Sequence, residues 1–139
     1  MTSKCITYHD NRGAVVKPPP FNAAECFIAF SNPDVLRGFH YHEGQDRLIT
    51  CLEGETYTVL YELATGEWQN YILTPFKTLY APREYAHAYC TLVGAKLLYQ
   101  TSTSYEPTLD HGFHWRSVGV IWPVENPVMN TRDKELPPL

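Results

Sequence analysis

The chain has 139 residues, 44% hydrophobic and 19% charged, which suits one globular domain with a sizeable core. A net charge of −4 gives no support for nucleic-acid binding, and no apolar run approaches the length that spans a membrane. Ten Tyr, six Phe and three Trp favour sheet over helix, and eleven Pro with eight Gly imply many turns. Met1 to Cys5 is not followed by an apolar core, so no signal peptide is expected. Cys5, Cys26, Cys51 and Cys90 show no Cys-x-x-Cys spacing and read as free thiols in a reducing cytoplasm.

In chain order, Asp10-Asn11-Arg12-Gly13 reads as a turn and Ala14-Val15-Val16 as a short strand. Pro18-Pro19-Pro20 must be extended. Phe27-Ile28-Ala29-Phe30 reads as a short buried strand. Strand signals then recur: from Leu36, over residues 48–52, and over 56–63 with Tyr57, Val59, Tyr61 and Leu63 on one face. Residues 68–73, 78–81, 86–92 and 95–101 follow, the last two flanking Val93-Gly94 as an expected hairpin. Residues 115–122 hold one more short strand, and the Pro-rich tail from Pro123 reads as irregular. No segment sustains helical periodicity. Strands at this spacing predict a closed all-β sandwich or barrel.

The chemistry centres on Arg37-Gly38-Phe39-His40-Tyr41-His42. Positions i and i+2 of a strand share a face, so His40 and His42 are expected to project together, with Arg37 and Arg47 supplying fixed positive charge. His-x-His, followed by Pro82 and His87, resembles the two cupin motifs, and three imidazoles can hold a metal. The cupin glutamate is replaced by Arg47, whose permanent charge repels a divalent cation. Metal-free acid–base chemistry is therefore the reading taken: a histidine base, Arg47 at a developing enolate oxygen, and Tyr99 as an acid on the opposite face.

The chain resembles the dTDP-4-dehydrorhamnose 3,5-epimerase family from Asp10 to about Asp133. The resemblance rests on Asp10-Asn11-Arg12-Gly13, Leu36-Arg37-Gly38-Phe39-His40, Arg47-Leu48-Ile49, the segment from Pro82 to Tyr89, and Leu98-Tyr99-Gln100-Thr101. Tyr105-Glu106-Pro107, Trp115, Gly119-Val120-Ile121-Trp122-Pro123 and Asn130-Thr131-Arg132-Asp133 complete it. It implies a cupin-like jelly roll with His40 as base, Tyr99 as acid, Asp133 paired with the base and Tyr105 stacked on the nucleotide base. Arg12, Arg37 and Arg132 become candidates for the diphosphate, and His42, His87 and Asp110 for further substrate contacts. This sequence departs from the family pattern at Thr58 (family Asp), Arg47 (family Lys), His42 (family Gln) and Ala14 to Lys17.

Together these features predict one cupin-like domain over residues 1–139: an N-terminal arm to about 35, a barrel over about 36–122, and a tail from about 123. The expected function is epimerisation of a nucleotide-activated 4-keto-6-deoxy sugar at carbon 3, carbon 5 or both, with no metal or other cofactor, by a cytoplasmic homodimer. Arg-Gly-x-His-x-His also resembles the 3,4-ketoisomerases that use both histidines, which makes that activity the first alternative. A metal-binding or non-catalytic sugar-binding cupin is the second.

Overall fold

The computed structural model describes residues 2–139. Its strands are β1 (Thr2–Lys4), β2 (Ile6–Asp10), β3 (Gly13–Lys17), β4 (Glu25–Ser31), β5 (Leu36–His42), β6 (Arg47–Gly54), β7 (Thr56–Glu62), β8 (Trp68–Leu73), β9 (Lys77–Ala81), β10 (Tyr85–Cys90), β11 (Ala95–Thr101) and β12 (Asp110–Gly112). A 3₁₀ turn at Pro107–Leu109 and one short helix, α1 (Thr131–Lys134), complete them. Two five-stranded sheets face each other in jelly-roll fashion, ordered β1-β9-β6-β11-β4 and β12-β5-β10-β7-β8, and β2 and β3 form a separate hairpin. All pairings between these strands are antiparallel. No helix among the described residues is long and apolar enough to cross a membrane.

The core lies in two layers. Ile49, Cys51, Leu60, Leu73, Leu79 and Leu97 fill the space between the sheets, and Tyr89 and Tyr99 continue that layer into the site. The second layer lies outside the second sheet, where Phe39, Val59, Tyr61, Ala86 and Ala88 meet Phe113 and Val118. The alternation expected for Tyr57, Val59 and Tyr61 is present, but β7 is buried on both faces because the tail wraps its outer one. Leu63 falls beyond the strand and is exposed.

Four expectations are corrected. Phe27-Ile28-Ala29-Phe30 is a strand but not a buried one: β4 is a sheet edge, and Ile28 and Phe30 stand exposed on its outer face. Val93-Gly94 is not a hairpin turn, because β10 and β11 belong to different sheets and the turn crosses between them. Residues 115–122 form turns instead of a strand. β12 already occupies that edge of β5, so the tail contributes side chains such as Trp122 to the outer layer rather than ladder bonds. The tail is also not wholly irregular: Asn130 caps α1 by accepting from the Asp133 N–H at 2.8 Å. Within the N-terminal arm, β1 pairs with β9 and β4 with β11, and the β2–β3 hairpin forms a unit of its own.

A bulge in β5 sets the phase of the site. His87 of β10 pairs with His40, but Tyr89 pairs with Arg37, so β5 carries one residue more than its partner over this stretch. The extra residue lets Arg37 and His40 both face inward, although strict alternation would put them on opposite faces. Gly38 makes this possible at φ +119°, where a Cβ would sit 2.6 Å from Ala88 Cβ and 2.7 Å from the His87 carbonyl oxygen. Gly38→Ala is therefore expected to cost about 3 kcal/mol of stability from overpacking and backbone strain. Urea denaturation within 1 kcal/mol of wild type would refute this account of the bulge.

Candidate active site

The sheets part between β4, β5, β6, β10 and β11 to leave a cleft of about 340 Å³. His40 reaches it from β5. Its Nε2 donates to Asp133 Oδ1 at 2.6 Å, and the second carboxylate oxygen accepts the Gly38 N–H at 3.1 Å. With Nε2 committed to a carboxylate, the lone pair of the neutral ring lies on Nδ1, the atom left for the cleft. Burial by itself raises the Asp133 pKa, but the His40 bond and charge, the Gly38 N–H and Arg132 outweigh it and hold the carboxyl below its usual value. Asp133 is only 2% exposed and stays ionised at neutral pH.

Tyr99 enters from β11 and stacks flat on Phe27 of β4, ring centres 4.9 Å apart. Burial, helped by Tyr89, pushes its pKa far up against the pull of Arg47 and Arg37, so the phenol keeps its proton. His87 lies between base and phenol, its ring centre 6.3 Å from that of His40 and 6.4 Å from that of Tyr99. Burial, then the charges of Arg47 and His40, push its pKa well below the usual 6.5. It is a neutral imidazole whose buried Nε2 has no hydrogen-bond partner among the described residues.

Arg47 lies across the cleft with its guanidinium carbon 6.0 Å from the Tyr99 ring centre. Burial lowers its pKa, with Tyr99 and Asp110 acting in the opposite sense, yet an arginine remains charged. No carboxylate among the described residues lies within ion-pair distance of it. Arg37 is tied back to the wall, donating to Ser31 Oγ and the Phe30 carbonyl at 2.9 Å each. At the mouth the Tyr105 hydroxyl donates to Asp110, which Arg132 also contacts at 3.2 Å.

Of the residues expected from sequence, His40, Tyr99, Arg47, Arg37, His87, Tyr105 and Asp110 line this one cleft, with Asp133 behind His40. Three do not line it. His42 shares the His40 face, but its Nε2 accepts the Glu106 N–H and its Nδ1 donates to the Glu43 carbonyl, both at 3.0 Å. It is a buried brace with no free nitrogen for a proton or a metal. Arg12 sits at the tip of the β2–β3 hairpin, exposed and clamped to Asp10 at 2.6 Å. Arg132 stands outside and acts through Asp110. Among the described residues no three His, Cys, Asp or Glu side chains converge as metal ligands.

Sequence reasoning missed Glu25, Phe27, Gln45 and Tyr89, which also line the cleft. Gln45 lies two positions before Arg47 and Tyr89 two after His87, so counting alternate positions from these known members would have found both, whereas Glu25 and Phe27 lie on β4, which carried no candidate. Thr58, where the family pattern has Asp, is buried with its hydroxyl against that of Thr56 at 2.8 Å. A roomier groove of about 490 Å³ among Leu60, Glu62, Trp68, Tyr71 and Tyr85 is lined by carboxylates but by no histidine and no cation, and it has no orphaned polar atom. Size alone does not make it the reaction centre.

The family model described as dTDP-4-dehydrorhamnose 3,5-epimerase matches residues 5–139. A relative of that name from Streptomyces griseus is 30% identical over 91% of this chain and 68% of its own length. A dTDP-4-dehydrorhamnose 3-epimerase from Streptomyces niveus is 27% identical over 92% of this chain and 68% of its own. The crystal structure of dTDP-4-dehydrorhamnose 3,5-epimerase from Bacillus anthracis, with TDP and PPi bound, superposes with a TM-score of 0.89 at 24% identity, covering 99% of this chain and 93% of that one. The jelly roll is thus shared with a solved structure, and the match to the family model runs from the first sheet through the tail that carries Asp133. The chain belongs to the dTDP-4-dehydrorhamnose 3,5-epimerase family.

Proposed function

We propose that this protein epimerises a nucleotide-linked 4-keto-6-deoxy sugar beside its keto group. The observation that carries this reading is Arg47, a half-buried cation without a carboxylate partner among the described residues, set in one cleft with a carboxylate-bound imidazole and a protonated phenol. A charge drawn partly out of water and left unpaired is costly, and an enolate oxygen supplies the missing negative charge only while the reaction proceeds. His40 Nδ1 removes the proton next to the carbonyl, and the C–H electron pair moves onto the carbonyl oxygen. Arg47 and the unpartnered His87 Nε2 face that oxygen, and Tyr99 returns a proton to the other face of the carbon. His40 ends protonated and Tyr99 ionised, and proton exchange with water resets both.

Asp133 holds His40 with Nδ1 free and stabilises the imidazolium that forms. Arg37 and Asp110 with Tyr105 hold the remainder of the substrate, the anionic diphosphate nearest the arginine. His42 has no free nitrogen to act as a second proton carrier, which favours epimerisation over the 3,4-ketoisomerase alternative. The exposed outer face of β4, with Ile28 and Phe30, and the apolar hairpin residues Ile6, Tyr8 and Val15 fit burial against a second copy in a homodimer. Such a pairing also offers Arg12 a route to the partner's cleft.

Three outcomes test this reading. In deuterated buffer, wild type should exchange the carbon 3 proton of dTDP-4-dehydro-6-deoxyglucose by NMR, and His40→Ala should lose about 10²- to 10⁴-fold. Tyr99→Phe should keep part of the exchange while losing inversion; undiminished exchange in His40→Ala would sink the mechanism. The second outcome concerns pH. The folded-state pKa of Asp133 is depressed, so its stabilisation is complete above the ordinary value of 3.8 and is lost as pH falls through the lower folded value. The stability gap between wild type and Asp133→Asn should be open at pH 7 and close in strong acid; a constant gap would separate Asp133 from any ionic role. Third, sedimentation should show a dimer that Phe30→Asp converts to monomer, and a monomeric wild type at micromolar concentration would exclude the pairing.

A further inference from the structure

Arg47 reaches the cleft on a flexible side chain, and a cation that stabilises one oxygen must be held to a fraction of an ångström to be effective. Ion pairing does not hold it, because no carboxylate among the described residues is within reach. Among the described residues, the one hydrogen bond from its side chain is Nε–H to Gln45 Oε1, at 2.8 Å. Gln45 is itself 4% exposed. Its amide nitrogen donates to the Thr103 carbonyl at 2.9 Å and meets the Thr103 hydroxyl at 3.3 Å. A carbonyl only accepts, so the Gln45 NH₂ must point to Thr103 and its oxygen must point to Arg47. The Thr103 carbonyl is held in turn by the Thr101 hydroxyl at 2.9 Å, and Thr101 lies two positions beyond Tyr99 on β11.

We propose that Gln45 is a positioning residue that fixes the guanidinium of Arg47, a role that rests on the epimerase reading above. By taking Nε–H, it leaves the four N–H bonds of the terminal nitrogens for the substrate oxygen and stops rotation about the end of the side chain. A carboxylate in its place would neutralise the charge it positions; a neutral amide orients Arg47 without competing with the anion. The chain from Thr101 through Thr103 and Gln45 to Arg47 also ties the oxygen-stabilising group to the strand that carries the acid. The sequence offers the reason such an anchor is needed here. Where the family pattern has a lysine, this chain has a planar fork whose direction matters.

The test compares Gln45→Met, which keeps the volume and loses the acceptor, with Gln45→Glu, which keeps an acceptor and adds charge. On the sugar nucleotide, Gln45→Met should lower kcat by about 10- to 100-fold with KM changed less than about threefold. Combined with Arg47→Lys, it should cost no more than Arg47→Lys alone, because the group it orients is already gone. Wild-type kcat in Gln45→Met, or losses that multiply in the double variant, would overturn the proposal. A second readout does not depend on turnover. The Arg47 Nε–H resonance, assigned by its loss in Arg47→Lys, should be protected from exchange in wild type and in Gln45→Glu and unprotected in Gln45→Met. Equal protection in Gln45→Met would end the positioning role. Failure of wild type to exchange the sugar proton would instead end the epimerase reading, with the resonance still reporting the Gln45 contact.

Discussion

The grip of one carboxylate holds the active centre together. Asp133 gives one oxygen to His40 and the other to the Gly38 N–H, and so joins the C-terminal tail to the bulge of β5 at two points. A hydrogen bond to a charged group of this kind contributes about 1.5–3 kcal/mol, and removing its partner leaves the buried carboxylate short of a donor. The tail is held along the same path: Leu36 N–H donates to the Val128 carbonyl at 3.0 Å, and Val128 N–H donates to the Asp34 carbonyl at 2.8 Å. Folding of the tail and orientation of the base are therefore one event. The aromatic layer of Phe39, Phe113 and Trp122 on the outer side of the sheet supplies the burial that keeps the tail in place.

The cleft separates charges by environment. His87 and Tyr99 are neutral because burial opposes their charged forms, while Arg47 stays cationic because no arginine gives up its proton under these conditions. Asp133 stays anionic in contact with His40. On the proposed mechanism, an anion formed in the middle meets a neutral imidazole and one cation that are present before it appears, which is the condition under which electrostatic stabilisation lowers a barrier. Thr58 leaves that interior without the additional carboxylate of the family pattern.

Much of the site was legible in the chain. His40, Arg47 and Tyr99 carry side chains whose chemistry is informative at any position, and their strands follow from alternation alone. Gln45 and Phe27 were not picked out, because an amide or a phenyl ring acquires a role only from its neighbour. Arg12 and His42 show the converse: each has the chemistry of a site residue, but one is held at the hairpin tip by Asp10 and the other by two backbone groups.

The sequence by itself determined the all-β class, most strands of the barrel, and the candidates for base, acid and cation, because period-2 patterning and side-chain chemistry are local properties. Only the tertiary structure decided that β5 bulges at Gly38, that β10 and β11 part into different sheets, and that the segment before the tail covers a face instead of adding a strand. Each of these depends on which chain segment arrives beside another. Inward direction at Arg37, the hydrogen bonds that occupy His42 and the amide that aims Arg47 follow from contacts between residues far apart in sequence, and no local pattern encodes them.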